Sequence, residues 1–156
     1  MTGCFFLGRM KALSYKERTR LLSHLCLFVS FIRDSIAYLS MPLNEIILSA
    51  SRRADLKEAD FIQKLKDMDV DRESFENVWS KVAEDLQLKP SEREELLTFC
   101  TGLGKTDRET QLSFCDITLR NLIRYKEEAT EEGEKLSKMW MSLGAVGGAF
   151  AAIMLI

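Results

Sequence analysis

The sequence predicts an all-α fold, a compact bundle of about six helices whose last helix is very long and runs into a C-terminal transmembrane span. Three observations predict it. Apolar residues recur at steps of three and four along the chain, and no segment alternates convincingly with period two. Only two prolines and eight glycines punctuate 156 residues, too few for a loop-rich sandwich. From Met139 to Ile156 the sequence carries no charge, and as a helix that stretch rises about 27 Å, close to the thickness of a bilayer's hydrocarbon core.

The apolar run Gly3-Cys4-Phe5-Phe6-Leu7-Gly8 is too short to span a membrane, and the basic residues Arg9, Lys11, Lys16, Arg18 and Arg20 follow it. It lacks the architecture of a cleaved signal peptide and reads as the last turn or two of a membrane helix whose beginning is absent. Residues 1–10 are therefore expected to be the remnant of an N-terminal membrane helix, residues 11–138 a cytoplasmic helical domain, and residues 139–156 a C-terminal transmembrane helix.

Between the ends the elements follow in order. From about Lys16 to Leu39, Leu22, Leu25, Val29, Ile32, Ile36 and Leu39 form one helical stripe at near-heptad spacing. Met41-Pro42 breaks that helix and Pro42 opens the next, over 42–53, with Leu43, Ile46, Ile47 and Ala50 inward. A third helix over 57–68 carries Phe61, Ile62, Leu65 and Met68. Asp71 is expected to cap a fourth, with Phe75, Val78, Trp79, Val82 and Leu86 as its inner face. Pro90 starts a fifth, which ends at Gly102 as a left-handed cap. Thr106-Asp107-Arg108-Glu109 has capping-box spacing and opens the longest helix, from 107 to 156. Leu112, Cys115, Leu119, Leu122 and Ile123 supply its core positions, and the charged stretch from Arg124 to Lys138 is expected to be solvated.

Charge and composition narrow the function. The net charge of −2 hides a basic amino-terminal part, +5 over residues 1–53, and an acidic remainder of −7. Aromatic residues do not interleave with the basic ones, so no nucleic acid is expected as a partner. Cys4, Cys26, Cys100 and Cys115 show no C-x-x-C spacing and read as mostly buried thiols. Gly102-Leu103-Gly104-Lys105-Thr106 imitates a phosphate loop, but Phe99 stands where its first glycine belongs and no strand precedes it. The carboxylate groups Glu92/Glu94/Glu95 and Glu127/Glu128/Glu131/Glu132/Glu134 read as wet helix faces, and the lone His24 as a flank of the apolar stripe. No enzyme is expected, and no cofactor, catalytic or metal site, or small-molecule substrate.

Two features rise above this background. Leu103, Gly104, Thr106, Asp107 and Gln111 form a glycine hinge feeding a capped helix, a candidate partner-binding turn. Gly144, Gly148 and Ala152 place small residues on one face of the terminal helix, a candidate packing site for another membrane helix.

The order of these features resembles the stage III sporulation protein AB family of endospore-forming bacteria. The resemblance is carried by the basic flank after an apolar start, Met41-Pro42-Leu43 after a long helix, and Leu103-Gly104 followed by Thr106-Asp107 and Gln111. A charged helix running into Leu143-Gly144 closes the pattern. It implies a domain similar to the F-type platform protein of type II secretion, which connects a cytoplasmic ATPase to membrane components. It also implies a non-enzymatic, membrane-anchored platform component of the channel complex joining mother cell and forespore. The implied partners are other proteins of that complex, its cytoplasmic ATPase as a candidate among them, and the lipid bilayer. The implied location is the mother-cell membrane around the forespore, with the soluble domain in the cytoplasm, where basic flanks belong. The alternative from another class is a soluble helical interaction adaptor whose C-terminal apolar helix packs into its own core.

Overall fold

The computed structural model describes residues 2–68 and 74–154, and among them six helices and no strand. Helix α1 spans Thr2–Asp34 without a break and widens into a π-turn over Ser35–Leu39. Its stripe behaves as the spacing demands as far as Ile32: Leu22, Leu25, Val29 and Ile32 are buried, with Phe28 beside them. Ile36 is half-buried, but Leu39, expected at the end of the stripe, is 61% exposed at the end of the π-turn. Ser14–Leu39 is, among the described residues, the one stretch long and apolar enough to cross a membrane. Those buried side chains make it the central helix of the bundle.

Ser40 ends the π-turn in the left-handed region (φ 49°), and extended Pro42 leads into α2, Leu43–Arg52. Ile46, Ile47 and Ala50 face inward as the spacing predicts. The third helix, α3, starts at Asp60 and not at 57, and ends at Asp67. Residues 53–59 are turns instead, because the Arg53 guanidinium closes on Asp55 (2.7 and 3.0 Å), stacks 4.9 Å from the Phe31 ring, and Leu56 plugs into the core. Helix α4, Phe75–Glu84, is capped by Ser74, whose hydroxyl accepts from the Asn77 amide at 3.4 Å. The expected cap Asp71 lies outside the described residues. Trp79 meets Phe61 edge-on at 6.0 Å, and Phe61 meets Phe28 at 5.7 Å, a chain of ring contacts from α4 through α3 to α1.

Helix α5, Pro90–Gly102, begins and ends where its proline and glycine predict. Gly102 is not a left-handed cap, however: it is buried against Phe114, whose ring atoms would lie 3.0 Å from an added Cβ, and the glycine of positive φ is Gly104 (76°). Helix α6, Arg108–Met154, is 47 residues long.

Helices α1 and α6 lie antiparallel, with Tyr15 beside Gly133, Arg18 paired with Glu132, and Arg33 paired with Asp116 at 2.5 Å. Helices α2 to α5 pack onto this pair. The expectation of a solvated middle in α6 is corrected on one face: Ala129 is fully buried, and Glu132 is engaged in ion pairs. Small size at Ala129 and Gly133 is what lets the two long helices approach. Ile123 is not a core residue as expected; it is 39% exposed, beside the seam formed by Cys115, Thr118, Leu122 and Ala129.

Beyond Leu136 the large apolar side chains of α6 are no longer buried. Met139, Met141, Leu143, Val146, Phe150 and Ile153 are all exposed. These side chains therefore do not pack back into the protein's own core, which corrects the packing expected of this helix in the soluble-adaptor alternative. Helix α1 crosses the 10/11 boundary and α6 the 138/139 boundary without a break.

Candidate functional site

The sequence-derived turn assembles as one unit. Leu103 points inward and is buried, while Gly104 is exposed with no heavy atom within 4 Å of an added Cβ, so its left-handed backbone alone calls for glycine there. The helix cap is Asp107, and not Thr106 with Glu109 as the capping-box spacing suggests. Its carboxylate accepts from the Thr110 amide (3.1 Å) and hydroxyl (2.6 Å), and these bonds hold its pKa below the ordinary value. The Thr106 hydroxyl turns back to donate to the Gly102 carbonyl at 3.2 Å. Gln111 donates its amide to the Thr106 carbonyl at 2.8 Å, so the polar group that packing leaves unexplained in the sequence fastens the turn.

Two further contacts tie this turn to the bundle. Arg108 donates to the Ala37 carbonyl in the π-turn, and Lys105 reaches Glu76 of α4 at 3.4 Å. Tyr38 and Leu39 beside it are 81% and 61% exposed. The pole so formed lies at the opposite end of the antiparallel pair from the apolar end of α6.

The second candidate, Gly144 with Gly148 and Ala152, lies on α6. Gly144 is exposed with nothing within 4 Å of an added Cβ. The surroundings of Gly148 and Ala152 lie outside the described residues.

Sequence reasoning missed a third constellation. Glu92 is not part of a wet face: it is fully buried, where Arg18 donates to both its carboxylate oxygens and the Lys89 amide donates to Oε2 at 2.8 Å. Arg18 also reaches Glu132 at 3.2 Å, and the Lys89 ammonium holds Glu132 at 2.9 Å. Burial alone would lower the Arg18 pKa, but hydrogen bonds and charge from Glu92 and Glu132 outweigh it and leave the pKa raised. Glu132 is held below its ordinary value, first by the Lys89 hydrogen bond. One buried arginine thus joins α1, α5 and α6. Its signals were present: Arg18 continues the stripe of Leu22, Leu25, Val29 and Ile32 one turn back, and Glu92 sits at the third helical position after Lys89, where a side chain reaches back to the backbone.

None of these arrangements pairs a nucleophile with a base. Cys100 and Cys115 are buried and their thiols are pushed up by desolvation, Cys115 to about 11, so both stay protonated at neutral pH. The His24 pKa is lowered by burial and by Arg20. Among the described residues no group of three His, Cys, Asp or Glu side chains is arranged to hold a metal ion. What the site offers is an exposed, well-fastened pole at one end and an uncovered apolar helix at the other, joined by the Arg18 cluster.

A family model, stage III sporulation protein AB, matches residues 1–156, the whole chain. No curated protein and no solved structure matches.

Proposed function

Because the chain belongs to the stage III sporulation protein AB family, it is a sporulation protein, and we propose that it works as a membrane-anchored, non-enzymatic assembly component of the channel complex between mother cell and forespore. The observation that carries this reading is the end of α6: a charge-free helix whose Met139, Met141, Leu143, Val146, Phe150 and Ile153 are all exposed. Water disfavours so much contiguous apolar surface, and a bilayer accepts it.

The start of α1 supports the same reading. Carried on at the common helical rise, the register of Arg18 with Glu132 brings Phe6 level with about Leu143 and Lys11 level with about Lys138. The apolar start of one helix and the apolar end of the other then share one level, with basic residues of both just below it. Trp140 stands at that boundary, and its shielded indole N–H has no acceptor among the described residues, as suits a ring awaiting a headgroup. Positive residues on the bundle side put the bundle in the cytoplasm, here that of the mother cell. The pole at Tyr38, Gly104 and Gln111 is then the part farthest from the membrane and open to a cytoplasmic partner; the complex's ATPase is the candidate.

Co-purification of the full-length protein from sporulating cells in mild detergent tests the assembly role. Channel proteins should accompany it in stoichiometric yield, and a protein recovered alone from such membranes would overturn the role.

A further inference from the structure

We propose that Arg93, on the outer face of α5, is a carboxylate-binding site that docks an acidic, apolar segment of a partner protein. The inference does not rest on the membrane reading. Its basis is an arginine whose charge the protein leaves unmatched. Of the described arginines, only Arg18, Arg33 and Arg93 are drawn even partly out of water. Arg18 is paired with Glu92 and Glu132, and Arg33 with Asp116 and Asp34. Arg93 has no carboxylate partner among the described residues. Its Nη2 reaches the Leu86 carbonyl at 3.5 Å, the outer limit of a hydrogen bond, and its shielded Nε–H has no acceptor there. Half-burial of a charge with no counter-ion is costly, so this guanidinium is short of an anion.

The surroundings suit such an anion. A hollow of about 400 Å³ opens beside Arg93. Leu88, from the loop between α4 and α5, and Pro90 and Leu97, from α5, form its apolar walls, with Glu94 on its rim. Pro90, Arg93 and Leu97 stand at steps of three and four, and so share one helix face. Glu92, next in the chain, is fixed by Arg18 and by the Lys89 amide. The turn of α5 that carries Arg93 is therefore held in place before anything binds.

The chemistry selects among anions. A guanidinium fork takes a carboxylate through two hydrogen bonds, and the apolar walls favour an aliphatic side chain beside it. Phosphate also suits a guanidinium, but the Glu94 carboxylate on the rim repels a dianion about twice as strongly as a carboxylate. A small free acid is poorly served, because Pro90 and Glu94 are exposed and the hollow does not enclose what enters it. A segment held by the rest of its own protein meets no such limit, and Glu94 can accept a peptide N–H from it. An aspartate or glutamate beside a leucine, isoleucine or valine is the occupant this face fits.

Nuclear magnetic resonance on the full chain in a zwitterionic detergent, with nitrogen-15 in its arginines, tests this. The signal is the Arg93 Nε–H, assigned by its loss in Arg93→Lys, which removes only the long bond to Leu86. The probe is the capped tripeptide N-acetyl-leucyl-aspartyl-leucine amide. It should shift the Arg93 signal saturably, and bind about tenfold more tightly than its asparagine counterpart or inorganic phosphate. In Glu94→Gln, a change at an exposed position, phosphate should bind several-fold more tightly than in the parent. An Arg93 signal that does not move, equal affinities for the aspartyl and asparaginyl peptides, or a parent that prefers phosphate would overturn the site. An unchanged phosphate affinity in Glu94→Gln would overturn its selection of a carboxylate.

Discussion

Arg18 occupies a position in the apolar stripe of α1 that sequence periodicity would give to a leucine, and its charge is matched by a carboxylate that is fully buried. Removing one partner of such a pair strands the other without water. Arg18→Leu should therefore cost about 3–5 kcal/mol in urea unfolding, whereas the double change Arg18→Met with Glu92→Leu should recover most of the loss. Glu132, the outer carboxylate, has a lowered pKa, so its contribution is fully present above the ordinary value of 4.5 and is lost as pH falls through the folded value. The stability gap between the parent and Glu132→Gln should shrink on acidification below that value; a gap independent of pH would contradict the assignment. In the turn, Gly104→Ala should cost about 1–2 kcal/mol through its positive φ, with no clash to relieve. Gln111→Ala loses its bond to the Thr106 carbonyl but gains helix propensity, so a net loss of about 1 kcal/mol or less is expected. A sporulation defect in Gln111→Ala that exceeds the defect of the cap variant Asp107→Ala, at matched protein levels, would mark a partner contact; equal defects would leave the turn a structural joint.

At the scale of elements, what was legible followed from spacing and punctuation. The stripe of α1 from Leu22 to Ile32, the inner faces of α2 and α4, and both ends of α5 are where periodicity, Pro90 and Gly102 put them, while Leu39 turns out to solvent at the end of the π-turn. The differences share one physical cause: composition is visible in a sequence where three-dimensional geometry decides. The stretch from Arg124 to Lys138 is mostly charged, yet Ala129 and Gly133 let α1 approach along one edge, and small residues leave little trace in a hydropathy pattern. Glu92 looked solvated among Glu94 and Glu95, because nothing local reveals that Arg18, 74 residues away, arrives to pair with it. The candidate turn is legible as a set of residues, and so is a cap at Asp107; what spacing does not reveal is that Gly104, not Gly102, takes the left-handed backbone and that Gln111 fastens the Thr106 carbonyl. The close approach of α1 and α6 also gives an expectation of its own. Ala129→Leu should cost about 1–3 kcal/mol by overpacking the seam, read as a lowered urea midpoint with the m-value unchanged.

Across the whole molecule, the two long helices set a polarity, with an apolar end on one side and the fastened pole of Tyr38, Gly104 and Gln111 on the other. On the proposed orientation, a cysteine at exposed Glu94 should resist a membrane-impermeant thiol reagent in intact cells and react after lysis. On the proposed anchoring, exposed apolar side chains on the end of α6 hold the protein in a membrane. Fractionation of sporulating cells with an alkaline carbonate wash tests it most directly, comparing the full-length parent with a Val146→Arg, Phe150→Arg variant. Both positions are exposed, so the bundle is untouched, while each charge at mid-bilayer costs roughly 2.5–3.5 kcal/mol on insertion scales. The parent should stay in the washed membrane pellet and the variant, still helical by circular dichroism, should move to the supernatant; a parent found in the soluble fraction without detergent would overturn the anchoring.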